Sequence, residues 1–254
     1  MKIVAIAKNT YREAVRSKLF LLLTIFSIAF ILFSKVVSLL VISSGEKIIV
    51  DLGLAIIEIF TILLSILISV NLFYKERDKR TIFNILSKPI SREQFILGKF
   101  LGLSLTLFVS LVILGVVFSL YALTVTGNLH LYIFPQLLLF FVEGEILVSF
   151  SLLFTSVSTP ILSSIFSLGI FVVGNFSSNF LLYYEAKVKG VVKLLVNIVY
   201  YVLPNFSILN YKNQLVYTKG IALSNFLNAT VYGIDYALLI LVLSMIAFRN
   251  REIL

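Results

Sequence analysis

Long apolar stretches dominate the chain, and they have the length of membrane-spanning helices. A bilayer core of about 30 Å takes roughly 20 helical residues. Six segments meet that length with few or no charged residues: 19–42, 53–74, 100–125, 131–157, 160–184 and 229–248. The pattern therefore predicts an all-α integral membrane protein with six transmembrane helices. Because no other segment could form a sizeable soluble domain, residues 1–254 are predicted to be a single transmembrane domain.

The longest stretch outside these spans is the connection 185–228, predicted to be an outer loop. Within it, Val191–Leu209 is apolar but contains Lys193, Asn197 and Pro204. Proline interrupts a helix because it lacks the backbone N–H and clashes with the preceding turn. We therefore expect one or two interfacial or partly re-entrant helices, broken near Pro204, and no seventh span.

Residues 1–18 have apolar and basic positions at helical spacing. On a helical wheel, one half carries Ile, Val, Ala and Tyr, and the other half carries mainly Lys and Arg. A basic amphipathic helix of this kind suits the inner membrane interface. Two interpretations stay open: an anchor that leads into the first span, and a docking surface for a partner protein.

The connection 75–99 is longer than a simple loop and is strongly patterned. A charged run precedes an apolar stripe over residues 82–86, and Pro89 then disfavours helix in the residue before it. Ser91 and Gln94 have the spacing of a capping box, which predicts a second helix that continues into the third span. Two short helices at a kink, with an apolar face, are typical of a docking surface.

The charge distribution indicates membrane orientation and does not point to nucleic acid. The chain is 60% hydrophobic and 13% charged with a net charge of +9, against roughly 45–50% apolar and 25% charged residues in soluble domains. Cytoplasmic loops collect Lys and Arg. With six spans and both termini in the cytoplasm, every arginine lies on the inner side of the cell membrane: Arg12, Arg16, Arg77, Arg80, Arg92, Arg249 and Arg251.

The residue inventory excludes most catalytic chemistry. The chain has no cysteine and a single histidine, His130, which we expect to be a solvated loop residue. Zinc sites usually need several His or Cys ligands, and nucleophilic catalysis needs a base beside the nucleophile. A phosphate-binding loop needs G-x-x-x-x-G-K-[ST], but Gly98-Lys99 has neither the first glycine nor the following Ser or Thr. We therefore expect no catalytic residue, metal or cofactor in this chain, which we do not predict to be an enzyme.

Glu143 and Glu145 lie near the middle of the fourth predicted span. A charge at the bilayer centre costs about 2.5–3.5 kcal/mol on insertion scales, so such residues are functional candidates. Two residues apart on a helix, the side chains diverge by about 200° and cannot both line one pathway. A structural role and a role in substrate passage both stay open.

Three further charges, Lys35, Glu58 and Asp235, lie at comparable depth below the outer membrane surface. An unpaired ion inside a membrane protein is costly. We therefore predict an intramembrane ion pair between Lys35 and a carboxylate, Glu58 or Asp235.

The fifth predicted span carries small residues on one face. Ser163, Ser167, Gly174 and Ser178 fall within about 60° on a helical wheel. Small-residue seams let helices approach closely in lipid. The seam could pack within the chain or form the interface with a second copy.

The string from Glu76 to Gly102 resembles the cytoplasmic coupling region of ABC-2 type transporter permeases. The matching positions are Glu76, Arg80, Thr81, Leu86, Ser87, Pro89, Ile90, Ser91, Arg92, Leu97, Gly98 and Lys99. The amphipathic N-terminus, the six spans, the Leu-Pro-Asn step at 203–205 and the short basic tail extend the resemblance. Within the family, the chain looks closest to the NosY-like permeases, which serve nitrous-oxide reductase maturation.

The resemblance implies an ABC-2 (type V exporter) fold and a permease subunit that works as a homodimer. ATP and Mg would be bound by a separate cytoplasmic ATPase subunit, an extracytoplasmic accessory protein could be a further partner, and membrane lipid would surround the spans. The implied ATPase-coupling residues are Glu76, Arg80, Thr81, Phe83, Leu86, Pro89, Arg92, Gly98 and Lys99. The alternative function is a proton-coupled secondary transporter that uses Glu143 or Glu145.

Overall fold

The computed structural model describes residues 2–38, 45–78, 91–128, 130–184, 202–218 and 220–249. Side chains are described for these ranges except at 38, 45–46, 76–78, 177–184 and 216–218. Within this part of the chain, the regular structure is helical and no strand occurs.

The described residues form eight α-helices, joined in two places by a short 3₁₀ helix. They are α1 (Lys2–Val15), α2 (Lys18–Ser38), α3 (Gly45–Asp78), α4 (Arg92–Thr126), α5 (Phe134–Val157), α6 (Pro160–Tyr184), α7 (Lys212–Thr218) and α8 (Leu223–Arg249). The 3₁₀ helices are Leu131–Ile133, before α5, and Phe206–Leu209, before α7.

Among the described residues, five helices are long and apolar enough to cross a membrane: α2, α3, α4, α5 with its preceding 3₁₀ turn, and α8. Helix α6 is apolar over the shorter part Pro160–Phe176. Its bounds agree with the predicted segment 160–184. The multi-pass helical architecture is therefore confirmed, whereas the count of six spans stays a prediction.

Two helices begin earlier than the apolar pattern predicts. Helix α3 begins at Gly45 instead of residue 53, and α8 begins at Leu223 instead of residue 229. Apolar length reports how much of a helix lies in lipid, and polar residues can extend the same helix into the interface. Hydropathy therefore locates a span better than it locates the ends of its helix.

Helix α5 forms the centre of the bundle. It packs against α3, α4, α6 and α8. In its most apolar stretch, 78% of the residues are buried, against 22% for α2 and 33% for α8. Large apolar side chains on the outer faces of α2, α4, α6 and α8 are exposed. In a membrane protein, such faces contact lipid.

The segment before α7 folds back into the bundle. We call residues 202–212 the re-entrant segment. Pro204, Asn205, Phe206 and Leu209 are buried, and a Cβ at Gly174 of α6 would meet the Pro204 carbonyl oxygen and the Phe206 ring. Residues 203–205 are not helical, in keeping with the predicted break near Pro204, and the burial favours the re-entrant alternative. Residues 185–201 lie outside the described part of the chain.

Candidate functional site

The cytoplasmic start of α4 is fixed by the predicted capping box. The Ser91 hydroxyl accepts from the Gln94 backbone N–H at 3.2 Å, and the Ser91 N–H donates to the Gln94 side-chain oxygen at 3.4 Å. Because the helix then continues without a break to Thr126, a displacement at Ser91 acts directly on the transmembrane part of α4.

The residues between α3 and α4 lie outside the described part of the chain. Five predicted coupling residues fall there: Arg80, Thr81, Phe83, Leu86 and Pro89. Of Glu76, only the helical backbone is described. Their role in ATPase binding therefore stays a prediction from the sequence.

Arg92, which the resemblance assigns to ATPase coupling, is half-buried at a contact between helices, and its role in coupling stays a prediction. Its Nη1 donates to the carbonyl oxygens of Phe248 at 3.3 Å and Arg249 at 3.0 Å, the last residues of α8. Helix ends leave carbonyl groups without partners, and a guanidinium satisfies them well. Glu93 supports the same contact through an exposed ion pair with Arg249 at 3.7 Å.

Three aromatic rings pack directly beneath this contact. Phe73 of α3, Phe95 of α4 and Phe248 of α8 have ring centroids 5.8–6.2 Å apart, and all three side chains are buried. Aromatic pairs at this spacing add about 0.5–1.5 kcal/mol each beyond the area they bury. The inner ends of three long helices are therefore held together.

Gly98 and Lys99 are buried and contact the chain itself, so they do not belong to an exposed ATPase-binding surface. A Cβ at Gly98 would lie 2.7 Å from the Ile6 side chain of α1. Lys99 is 1% exposed, with its ammonium 5.8 Å from the centroid of the Phe95 ring. The glycine is needed because α1 and α4 approach closely at this point.

Helix α1 is docked on the transmembrane helices along its inner face. Thr10 and Ala14 are buried, and Glu13 forms an ion pair with Lys75 of α3 at 2.6 Å. A helix is present where the pattern predicts one, and its place in the membrane interface stays a prediction. Part of the apolar half that was assigned to the membrane interface covers α4 instead, whereas Val4 remains 67% exposed.

Gly102→Ala is expected to destabilise the protein by roughly 1–3 kcal/mol, since overpacking a close helix contact forces the helices apart. The added Cβ would lie 2.6 Å from the Ala7 carbonyl oxygen and from Thr10 Cβ. The thermal midpoint of the purified protein measures the effect. Gly169→Ala is the matched control because nothing lies within 4 Å of that position. Equal midpoints for the two variants would contradict the α1–α4 contact.

A buried group of charged and amide side chains lies where the re-entrant segment meets α3. The Lys212 ammonium lies 2.8 Å from Glu58 Oε2, and Asn210 Nδ2 donates to Glu58 Oε1 at 2.7 Å. Glu58 is therefore paired as expected, but its cation is Lys212. Glu58 thus has a cation other than the predicted Lys35, whereas Lys35 and Asp235 are both exposed and their pairing with each other stays a prediction. The cation of Glu58 comes from a segment that the hydropathy pattern treated as a loop.

Glu143 lies near this group on α5. The charges that act on it are Glu58 and Lys212, and it is 2% exposed. Gln136 lies two turns earlier on the same face of α5 and binds the re-entrant segment. Its Nε2 donates to the Leu209 carbonyl at 3.0 Å, and its Oε1 accepts from the Tyr211 N–H at 2.9 Å.

Glu145 lies on a different side of α5, as the two-residue spacing predicts. It is 8% exposed. Among the described residues, neither carboxylate oxygen has a partner at hydrogen-bond distance, although the Ser104 hydroxyl of α4 lies on that side. A buried polar group without a partner is unfavourable for folding.

Glu145→Gln is expected to leave folding intact or to raise the thermal midpoint, because the amide is uncharged and easier to bury. Glu143→Gln serves as the matched variant two residues away, since Glu143 lies within electrostatic range of Glu58 and Lys212. The thermal midpoints and membrane yields of the two variants measure the difference. A large loss of yield for Glu145→Gln alone would assign this carboxylate a structural role.

The small-residue seam of α6 packs within the chain. Ser163 and Ser167 are buried, and the Ser167 hydroxyl is bonded to that of Ser151 on α5 at 3.2 Å. Gly174 contacts the re-entrant segment, while the side chain of Ser178 lies outside the described set. Of the two alternatives, the structure favours packing within the chain at these positions.

His130 is buried instead of solvated. It is 2% exposed, and its Nε2 lies 3.1 Å from the Thr126 hydroxyl at the end of α4. The ring also packs edge-on against Tyr132. Among the described residues, no group of three His, Asp or Glu side chains could hold a metal ion.

Sequence reasoning missed residues of the buried charged group beside α3 and of the contact between α1 and α3. Lys212 and Gln136 were not singled out, although Gln136 precedes Glu143 by seven residues on an apolar helix, a spacing that places both on one face. The ion pair of Glu13 with Lys75 joins residues far apart in the sequence, and no local pattern indicates it.

A family described as ABC-2 family transporter protein matches residues 4–253. No curated protein shows a significant match to the chain. The match concerns the family as a whole, so the narrower NosY-like assignment stays a prediction. Because nearly the whole chain is matched, this multi-pass membrane protein belongs to the ABC-2 transporter family.

Proposed function

We propose that this chain is the transmembrane permease subunit of an ATP-binding cassette exporter, driven by ATP that a separate cytoplasmic subunit hydrolyses. The observation that carries the proposal is the family match over residues 4–253. It is also the reason to prefer this function to proton-coupled secondary transport by Glu143 or Glu145. ATP and Mg would be held by the ATPase subunit.

The contacts around the coupling segment support this function. We use that name for residues 76–90. The segment joins α3 to α4. At its α3 end, the Glu13–Lys75 ion pair attaches α1, and at its α4 end, Arg92 attaches α8. A push on the coupling segment would therefore act on four helices together. The predicted ATPase contacts are Glu76, Arg80, Thr81, Phe83, Leu86 and Pro89.

The proposed topology has six spans with both termini in the cytoplasm, and α6 is the sixth membrane-crossing helix. It is supported by the apolar length of α6 and by the arginines, all of which then lie on the cytoplasmic side. The coupling segment and the Arg92 contact would both face the cytoplasm, where the ATPase is.

A homodimer with two ATPase subunits completes the proposed assembly, and an extracytoplasmic accessory protein could bind its outer side. Because the described part of the α6 seam packs within the chain, the dimer contact would use another apolar face. Nucleic acid is not a proposed partner.

Co-expression with the ATPase encoded nearest to this gene tests the proposal. A tagged permease should retain the ATPase in equal amounts, and hydrolysis by the complex should differ from that of the isolated ATPase. A permease that purifies alone, or an ATPase whose rate does not respond to the permease, would count against the proposed function.

A further inference from the structure

Helix α1 has one face that the bundle does not cover, and that face is basic. Its other side packs on α4, where Thr10 and Ala14 are buried. Three exposed cations follow one another at a spacing of four residues, and we call them the basic stripe: Lys8, Arg12 and Arg16. In the part of the chain that the structure describes, no carboxylate lies within ion-pair distance of the stripe, since Glu13 of α1 is paired with Lys75.

An exposed apolar edge runs beside the basic stripe. Val4 is 67% exposed, and Tyr11 and Val15 are half-buried. On a helical wheel these three side chains fall within about 40° and lie next to Lys8. An apolar edge that adjoins a row of Lys and Arg is typical of helices that lie at the boundary between lipid headgroups and acyl chains.

The contacts of α1 with α4 place the stripe at the level of the headgroups. A Cβ at Gly98 of α4 would meet the Ile6 side chain, and a Cβ at Gly102 would meet Thr10. Along α4, these glycines lie roughly 9 and 15 Å beyond Arg92 toward the middle of the membrane. Helix α1 therefore lies above the inner ends of the long helices, whereas a soluble partner would bind below them.

The short connection to α2 indicates the same level independently. Helix α1 ends at Val15 and α2 begins at Lys18. Leu21 and Leu22 of α2, a membrane-crossing helix, are already 51% and 52% exposed. Because a helix rises 1.5 Å per residue, Arg16 lies within roughly 10 Å of side chains that contact acyl chains.

We propose that the basic stripe binds the phosphate headgroups of anionic phospholipids, while the apolar edge of α1 lies among their acyl chains. Each Lys or Arg near a membrane surface attracts anionic lipid, and this attraction falls off within a Debye length. Because α1 packs on α4 and is paired with α3 through Glu13, the bound lipid lies beside the two helices that the coupling segment joins. That the lipid belongs to the inner leaflet rests on the proposed topology, whereas the lipid site itself does not.

A single introduced tryptophan tests the site, because the chain contains none. Asn9 is exposed on the face of the basic stripe. Asn9→Trp is reconstituted in phosphatidylcholine vesicles that contain a small, equal fraction of one brominated lipid, either phosphatidylglycerol or phosphatidylcholine. Bromine on the acyl chains quenches nearby tryptophan. Quenching by the phosphatidylglycerol should correspond to a local enrichment of roughly fivefold or more, and high salt should reduce it.

Two controls make the result specific. Replacing all three stripe residues with glutamine in the Asn9→Trp protein should make quenching by the two lipids equal, with an unchanged thermal midpoint because the three side chains are exposed. Leu120→Trp places the fluorophore near the other end of α4, at a position that is 58% exposed. It should be quenched equally by both lipids.

Three results would overturn the proposal. Equal quenching of Asn9→Trp by both lipids would exclude a preference for anionic headgroups. A preference that survives in the triple glutamine variant would exclude the basic stripe as its cause. Loss of quenching on addition of the ATPase subunit would assign this face to the partner protein. The first two measurements need no ATPase and use vesicles with the same lipids in both leaflets, so failure of the lipid site is distinguishable from failure of the proposed function.

Discussion

Replacing Phe83 and Leu86 together with alanine is expected to release the ATPase while the permease still inserts and folds. Both residues lie on the apolar stripe of the coupling segment. Buried apolar anchors often contribute about 2 kcal/mol or more each to an interface, so the pair would weaken binding by roughly a thousandfold. The measurement is the ratio of ATPase to tagged permease after purification.

The matched control removes two large apolar side chains that the proposal assigns to lipid. Leu101 and Leu105 of α4 are each 46% exposed, and their double alanine variant should keep the ATPase bound. If the Phe83 and Leu86 variant retains the ATPase at the wild-type ratio, the coupling segment is not the main contact.

Replacing Arg92 with alanine is expected to have a different effect. The ATPase should stay bound, but its conformational change should no longer be transmitted to α8. The guanidinium holds two carbonyl oxygens at the end of that helix. Hydrogen bonds from a charged group contribute about 1.5–3 kcal/mol. The ratio of docked to undocked α8 ends should therefore decrease by tenfold or more. Export should then decrease while ATP hydrolysis continues.

Lys18→Ala is the control for Arg92, because Lys18 is an exposed basic residue of α2 on the same side of the bundle. It should change neither hydrolysis nor export. If Arg92→Ala instead releases the ATPase, as the Phe83 and Leu86 variant should, then Arg92 contacts the partner directly, as the family resemblance implies.

Local patterns predicted the elements well, because helix formation and capping depend on neighbouring residues. The capping box of Ser91 and Gln94, the bounds of α6 and the break at Pro204 all follow from a few adjacent side chains. The same reasoning placed Glu143 and Glu145 on different sides of α5. Each of these statements needs only the geometry of one helix.

Contacts between distant residues could not be predicted in the same way. Lys35 was expected to pair with Glu58 or Asp235 because all three lie at similar depth, but the cation beside Glu58 is Lys212, 154 positions away in the sequence. Arg92, Gly98 and Lys99 were assigned to an ATPase surface because they belong to a family motif. The structure places Arg92 against α8 and Gly98 against α1, and it buries Lys99. Only tertiary packing distinguishes a docking residue from a helix contact.

Because the chain contains no cysteine, spin labels at introduced cysteines test the central claim most directly. Arg12→Cys on α1 and Asn213→Cys on α7 label two exposed positions at opposite ends of the bundle. In a complex with a hydrolysis-deficient ATPase, ATP should shift the measured distance distribution, and the Phe83 and Leu86 double alanine variant should abolish that shift. A distribution that ATP leaves unchanged, or a shift that survives in the double variant, would contradict transmission through the coupling segment.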